Sequence, residues 1–482
     1  MITIRRLCST LAFAALLVVA AGCGGGSASG GGGSSGGAAG IVPGDAVAFV
    51  TIDTDTSSTA IKNAQAVLDK FPFHTQAIAS FEKSLNSGGE KAKQLIASVG
   101  PELDVAVLKV NGNSVPVGFT KPSDVTAFTS SLNGAKTEQI SGWTVFTTTQ
   151  AALDAVQNRT SNLSDDAQYK DAAKSLPSDP LVTAFAGKAA FSLAAPLANR
   201  AGAGKIDVPA GTLANVSKLN WITADATSHD GGVEIDVHTS TTTPLSTGSS
   251  SSSLSGEIPG GVLAAASFNG SSSLSSFSTS ALKQPGTATA LAQVQQALGV
   301  SVQDLVQAVN GPSILYLKAG APLPEVTVVV KPADAQKAEQ TVGTLLAKAT
   351  KGVKPTPVTV NGVTLQSVSL GPVSILYGVW DGQLVLTDSQ TAIGELQSKS
   401  NRLADDDTFK AAKKASGLPD SSPAWLYVDL KDTIPAAETL AALAGQKIPP
   451  TASGNLGPLQ SFVAYGSADG STSTATLFLQ TN

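Results

Sequence analysis

Apolar positions along this chain switch repeatedly between a spacing of two and a spacing of three to four, and the order of switching occurs twice. Residues 46–52 form an apolar, β-branched run after a turn at Pro43-Gly44, which predicts a buried strand ending at Asp53. Ser57 or Ser58 then caps a helix with Ile61, Ala64, Leu68 and Phe71 on one face, stopped by Pro72. Two more helical stretches carry Ile78, Phe81 and Leu85, and Leu95, Ile96 and Val99. Strands at 105–110 and 115–120 flank Asn111-Gly112, the dipeptide that best signals a tight hairpin. A helix follows Lys121-Pro122-Ser123-Asp124, with Val125, Phe128 and Leu132 on one face. A strand at 143–148, helices from Ala151 and from Asp165, a strand at 181–186 and a hairpin turning at Asp230-Gly231 complete the series.

The series then returns. Ile258-Pro259-Gly260 and the apolar run 262–268 repeat the opening, strands at 314–317 and 326–330 precede Lys331-Pro332-Ala333-Asp334, and a closing hairpin turns at Asp469-Gly470. The closest likeness is between residues 147–174 and 387–414. There Thr147, Gln150, Ala152, Leu163, Asp165, Asp166, Lys170 and Lys174 match Thr387, Gln390, Ala392, Leu403, Asp405, Asp406, Lys410 and Lys414 without a gap. The second copy gains residues 353–379, with Asn361-Gly362 as a further hairpin turn. The expected fold is therefore α+β: two tandem repeats, each a mainly antiparallel β-sheet with amphipathic helices packed on one face. The expected boundaries are module 1 at 41–239, a Ser/Thr-rich linker at 240–256 and module 2 at 257–482.

Length supports two modules, because a single core stops growing at roughly 250–300 residues and this chain has 482. The formal charge of −5 gives no basic footprint, which argues against a nucleic-acid partner.

The first 40 residues change the picture most. Arg5 and Arg6, an apolar run at 11–21 and Ala20-Ala21-Gly22-Cys23 have the form of a signal peptide at 1–22. Its ending resembles the lipobox of bacterial lipoproteins, where small residues precede a cysteine whose thiol takes a diacylglycerol. Cys23 is the expected lipidation site. Residues 23–40 continue as a Gly/Ser tether that reaches on the order of 20–25 Å as a coil. The expected location is extracytoplasmic, anchored to the outer face of the cytoplasmic membrane. Cys8, the other cysteine, lies in the leader, so the mature chain is expected to form no internal disulfide.

Candidate chemistry is sparse. Asp165-Asp166 and Asp405-Asp406-Asp407 can hold a cation in principle, but each opens a helical pattern, where carboxylates cap free N–H groups. Asp166 with Lys170 and Asp406 with Lys410 have the spacing of helix ion pairs. Asp53 and Asp55 read as turn residues. His74, His229 and His238 are too dispersed for a three-histidine zinc site; His229 and His238 flank a hairpin turn and can face each other across it, but the expectation is an exposed pair of ordinary histidines. No nucleophile elbow or phosphate loop is present. The expectation is no catalytic residue, no metal site and no cofactor.

The opening Val42 to Asp53, V-P-G-D-A-V-A-F-V-T-I-D, and the helix end Leu68-Asp69-Lys70-Phe71-Pro72, together with the lipobox and tether, resemble the DUF3352 family, uncharacterised bacterial proteins that are often exported lipoproteins. That resemblance implies no activity, cofactor or catalytic residue. The expected role is non-catalytic binding or structure at the envelope, with a carrier of a lipid or other apolar ligand, held in or between the modules, as the alternative and an envelope hydrolase third.

Overall fold

The computed structural model describes residues 37–76, 79, 94–191, 218–243, 252–270 and 300–482, except positions 96, 133, 230, 302–303, 305–306, 321–322, 371–372, 399 and 447. Cys23, the leader, most of the tether, the helical stretch around Phe81 and residues 244–251 of the Ser/Thr-rich linker lie outside the described residues. The chain divides into two compact units, Met1–Leu245 with Asp469–Asn482, and Ser246–Ala468.

The first unit runs β1 (Ala48–Asp53), α1 (Thr59–Asp69), β2 (Glu102–Val110), β3 (Asn113–Thr120), α2 (Val125–Ser131), β4 (Lys136–Ile140), β5 (Trp143–Thr147), α3 (Gln150–Gln157), α4 (Ala167–Ala173), β6 (Val182–Gly187), β7 (Leu219–His229) and β8 (Gly232–Thr241). The second runs β9 (Val262–Asn269), β10 (Pro312–Lys318), β11 (Glu325–Val330), α5 (Ala335–Ala349), β12 (Thr356–Val360), β13 (Val363–Leu370), β14 (Val373–Trp380), β15 (Gln383–Thr387), α6 (Ala392–Gln397), α7 (Asp407–Ser416), β16 (Ala424–Asp429), α8 (Leu430–Leu443), α9 (Pro450–Leu456) and β17 (Leu459–Asp469). The last strand, β18 (Thr472–Thr481), belongs to the first unit because it pairs along β8 from Thr472↔Ser240 to Gln480↔Gly232.

Strand order in the first unit is β4-β5-β3-β2-β1-β6-β7-β8-β18. In the second it is β12-β13-β14-β15-β11-β10-β9-β16-β17. Every one of these pairings is antiparallel, so the architecture is α+β on antiparallel sheet, with the inserted residues 353–379 supplying most of β12, β13 and β14.

Local chemistry explains the turns and helix starts. Asn111-Gly112 and Asn361-Gly362 both have two successive positive φ values, 51° and 79°, and 46° and 79°, as a hairpin turn matched to strand twist requires. Ser58 accepts the N–H of Ile61 at 3.1 Å, Asp124 that of Ala127 at 2.9 Å, and Asp166 that of Tyr169 at 2.9 Å. Asp406 accepts from Thr408 and Phe409 at 2.8 and 3.2 Å. Since Asp166 and Asp406 are turned toward helix N–H groups, the lysines go elsewhere: Lys170 stands 3.9 Å from Asp165 and Lys410 3.4 Å from Asp407. The expected ion pairs with Asp166 and Asp406 are replaced by these.

Helices cover both faces of the first sheet rather than one. All five residues of β5 are buried, and alternation sends Val145 and Phe146 to opposite sides. Val145 joins the core beneath α3 and α4, with Phe49, Phe119, Leu153, Leu163 and Trp221. Phe146 meets Phe128 of α2 edge-on at 5.5 Å on the other side.

Candidate functional site

The face of the first sheet that carries α4 is apolar along one band and polar along the next. Residues directly opposite in antiparallel strands point to the same face. Following the partners laterally gives one row: Asp104 on β2, Thr51 on β1, Thr183 on β6, Asp225 on β7, Asp236 on β8 and Thr476 on β18. At about 4.8 Å between strands, the row extends on the order of 24 Å. The adjacent row runs Phe49, Phe185, Thr223, His238 and Thr474. Tyr169 of α4 packs edge-on against both phenylalanines.

At one end of the polar row, Asp104 is fully buried. Thr51 Oγ1 donates to its Oδ1 at 2.6 Å and the Ala38 N–H to its Oδ2 at 3.2 Å. Burial, reinforced by the neighbouring Glu102 carboxylate, pushes the Asp104 carboxyl up to about 8 against those two donors. Burial also pushes the Tyr169 phenol up to about 12, with Asp104 and Glu102 adding to it.

At the other end, Asp225 and His238 are 3% and 4% exposed, and Asp236 is half-buried. Thr476 Oγ1 and Asp236 Oδ1 are 2.5 Å apart, and His238 Nδ1 lies 2.8 Å from Thr474 Oγ1. His238 Nε2 is 3.5 Å from Asp225 Oδ1, an ion-pair distance that is long for a hydrogen bond. Beyond that 3.5 Å contact with each other, the Asp225 oxygens and Nε2 have no hydrogen-bond partner among the described residues. Burial raises the Asp225 carboxyl, with Asp236 adding to it and His238 opposing. Two residues along β8 on the same face, Glu234 is pushed up to about 7 by burial first and then by Asp236 and Asp225. Asp225, Asp236 and His238 each present one ligand atom, all within 4.8 Å of one another.

Thr474, His238 and Asp225 also stand in the sequence of a hydroxyl, an imidazole and a carboxylate. Thr474 is 7% exposed, so its hydroxyl lies within the face of the sheet rather than on an open surface. The second unit has a different character at its central strand: the row through Ser267 of β9 runs Ile314, Ser267, Trp425 and Tyr465.

The residues singled out in the sequence mostly have local jobs. Asp53 accepts the Asp55 N–H at 2.8 Å and the Ser58 hydroxyl at 2.5 Å, and Asp55 accepts from Ser57. His74 Nδ1 bonds the Phe71 carbonyl oxygen at 2.8 Å. His229 and His238 do not face each other: His229 lies opposite Gly232 and stacks on Phe478, while His238 lies opposite Thr223 and is buried. Sequence reasoning missed Asp104, Asp225, Glu234 and Asp236. The local signal for two of them was Glu234-x-Asp236-x-His238, whose spacing of two puts three titratable groups on one strand face.

A family model described as "Protein of unknown function (DUF3352)" matches residues 146–481. Among solved structures, crystal form IV of TP0453 is similar at 9% identity and a TM-score of 0.24, covering 42% of this chain and 79% of that one. Crystal form I of TP0453 is similar at 11% identity and a TM-score of 0.23, covering 43% of this chain and 80% of that one. The comparison with curated protein sequences finds no match.

Proposed function

The chain belongs to the DUF3352 family, and from that premise we propose that it is a lipid-anchored protein of the cell envelope whose two tandem modules serve binding rather than catalysis. The observation that carries the address is the run from Arg5 through the apolar segment to Ala20-Ala21-Gly22-Cys23, followed by a Gly/Ser tether that gives way to the described fold at Gly37. Cys23 holds the protein at the outer face of the cytoplasmic membrane, and the tether keeps the folded units off the surface.

Duplication of one module is supported by paired details. The Val42 carbonyl accepts the Leu163 N–H at 2.8 Å, and the Ile258 carbonyl accepts the Leu403 N–H at 2.9 Å. Isolated bridges join Pro43 to Asn162 and Pro259 to Arg402. A binding role is supported by the polar row, in which threonine hydroxyls hold Asp104 and Asp236 while the buried Asp225 carboxylate stands beside His238 without a short hydrogen bond. The carrier reading has less behind it. A surface depression of 560 Å³ in the second unit combines Ala442, Ile448, Pro449 and Pro450 with polar Glu438 and Gln446, and it is open to solvent.

Cys23→Ser tests the anchor. The unaltered protein is expected in the membrane fraction, released by detergent but not by salt, and the variant is expected in the soluble fraction. A variant that sediments with membranes as fully as the parent contradicts the proposal.

A further inference from the structure

We propose that Asp225, Asp236 and His238 form a divalent-cation site of the Zn²⁺ or Mn²⁺ class, built into the face of the first sheet by β7, β8 and β18. Three observations meet there. The ligand atoms converge: one oxygen from each aspartate and one imidazole nitrogen lie within 4.8 Å of one another. A small cation between them closes the gap that their direct contacts leave, since His238 Nε2 and Asp225 Oδ1 stop at 3.5 Å.

Asp225 is more than nine-tenths buried, and among the described residues neither of its oxygens has a hydrogen-bond partner closer than the 3.5 Å contact to His238. Leaving a buried polar atom unpaired costs about 1–3 kcal/mol, and more when it is charged. Asp225 and Asp236 are paired across β7 and β8 with the His238 imidazole beside them, so two carboxylates share a single imidazole. A divalent ion balances two carboxylates gathered in one buried cluster.

Third, the ligands are already oriented by an outer layer. Thr474 engages His238 Nδ1 at 2.8 Å and leaves Nε2 as the atom aimed at the carboxylates. Thr476 Oγ1 donates to Asp236 Oδ1 at 2.5 Å and fixes that carboxylate opposite Asp225 across the β7–β8 pair. Metal-binding histidines are held in this way, their second ring nitrogen fixed by an outer hydrogen bond. One nitrogen and two carboxylate oxygens suit Zn²⁺ or Mn²⁺, which take mixed N/O sets, with water filling the remaining positions. They suit Ca²⁺ less, since it takes about 6–8 oxygens. Asp236, half-buried on β8, gives the ion its way in. The site is independent of the lipid anchor and of whether the modules are repeats.

The test is a titration of tag-free protein stripped with a chelator and dialysed, using Zn²⁺ and Mn²⁺ chloride near neutral pH. Calorimetry is expected to give one ion per chain, and the melting temperature is expected to rise with free metal, as it does for any ligand that binds only the folded state. Asp236→Asn removes a half-buried ligand with little change of shape. It is expected to abolish the one-equivalent uptake while its circular dichroism and metal-free melting temperature stay close to the parent's. Thr474→Val keeps all three ligands and is expected to weaken binding about 10- to 100-fold. The proposal is overturned if stripped parent protein takes up no ion. It is equally overturned if Asp236→Asn and His238→Ala, each checked for folding, both bind one equivalent as tightly as the parent, which places the ion elsewhere.

Discussion

Leu163→Ala is expected to destabilise the first unit by about 2–5 kcal/mol, the cost of deleting a buried leucine side chain and leaving a cavity. Leu163 is 1% exposed, in the core with Ala152, Leu153 and Val156 of α3 and with Val42 and Phe49. Its N–H bonds the Val42 carbonyl through the backbone, so alanine keeps that bond and the measured loss belongs to packing alone. Leu403→Ala, 2% exposed, carries the same expectation for the second unit. Trp143 and Trp221 report on the first unit and Trp380 and Trp425 on the second, so denaturant melts of tryptophan-to-phenylalanine variants resolve the two transitions. A loss below about 1 kcal/mol at either leucine contradicts the packing described.

The first unit is also expected to lose stability as pH rises from about 5 to 8, by up to about 1.4 kcal/mol per pH unit for each proton that only the folded chain retains. Asp104 supplies one such proton. Its carboxyl is raised from 3.8 to about 8, so between those values the folded protein holds a proton that the unfolded chain has released. The stabilisation is full below the unfolded value and is gone once pH has climbed through the folded one. Among the described residues, the groups facing Asp104 are Glu102 on β2, Thr51 on β1, the Ala38 N–H and Tyr169 on α4, none of them a cation. Asp104→Asn keeps the shape and cannot ionise, so it is expected to flatten the slope, leaving a remainder from other raised carboxyls such as Glu234. Denaturant melts at pH 5, 6, 7 and 8, with chelator present, measure both slopes. A parent slope that rises with pH, or one that Asp104→Asn leaves unchanged, contradicts the assignment.

What the sequence made legible was what neighbouring residues decide. Asn111-Gly112 and Asn361-Gly362 dictate hairpins, and Ser58, Asp124, Asp166 and Asp406 dictate helix starts, because each acts on groups within three residues of itself. The two-sided cover of the first sheet was half legible: successive bulky apolar residues, Val145 and Phe146, point to opposite faces of one strand, and burying both takes more than one layer of helices. The polar row was not legible. It joins residues from Thr51 to Thr476 across six strands, and only the sheet order places Asp104, Asp225 and Asp236 in one line. Sequence spacing reports the period along a strand, and this feature runs across strands. The likeness of 147–174 to 387–414 drew attention to segments whose aspartates start helices, whereas the unusual chemistry lies in the first unit, where the row through Ser267 in the second has Ile314, Trp425 and Tyr465.

The most direct measurement is an anomalous difference map from crystals of the full chain grown with Zn²⁺. The account predicts one strong peak in the first unit, about 2.0–2.2 Å from His238 Nε2 and from one oxygen each of Asp225 and Asp236. A map with no peak there, in which His238 and Asp225 keep their 3.5 Å separation, contradicts it.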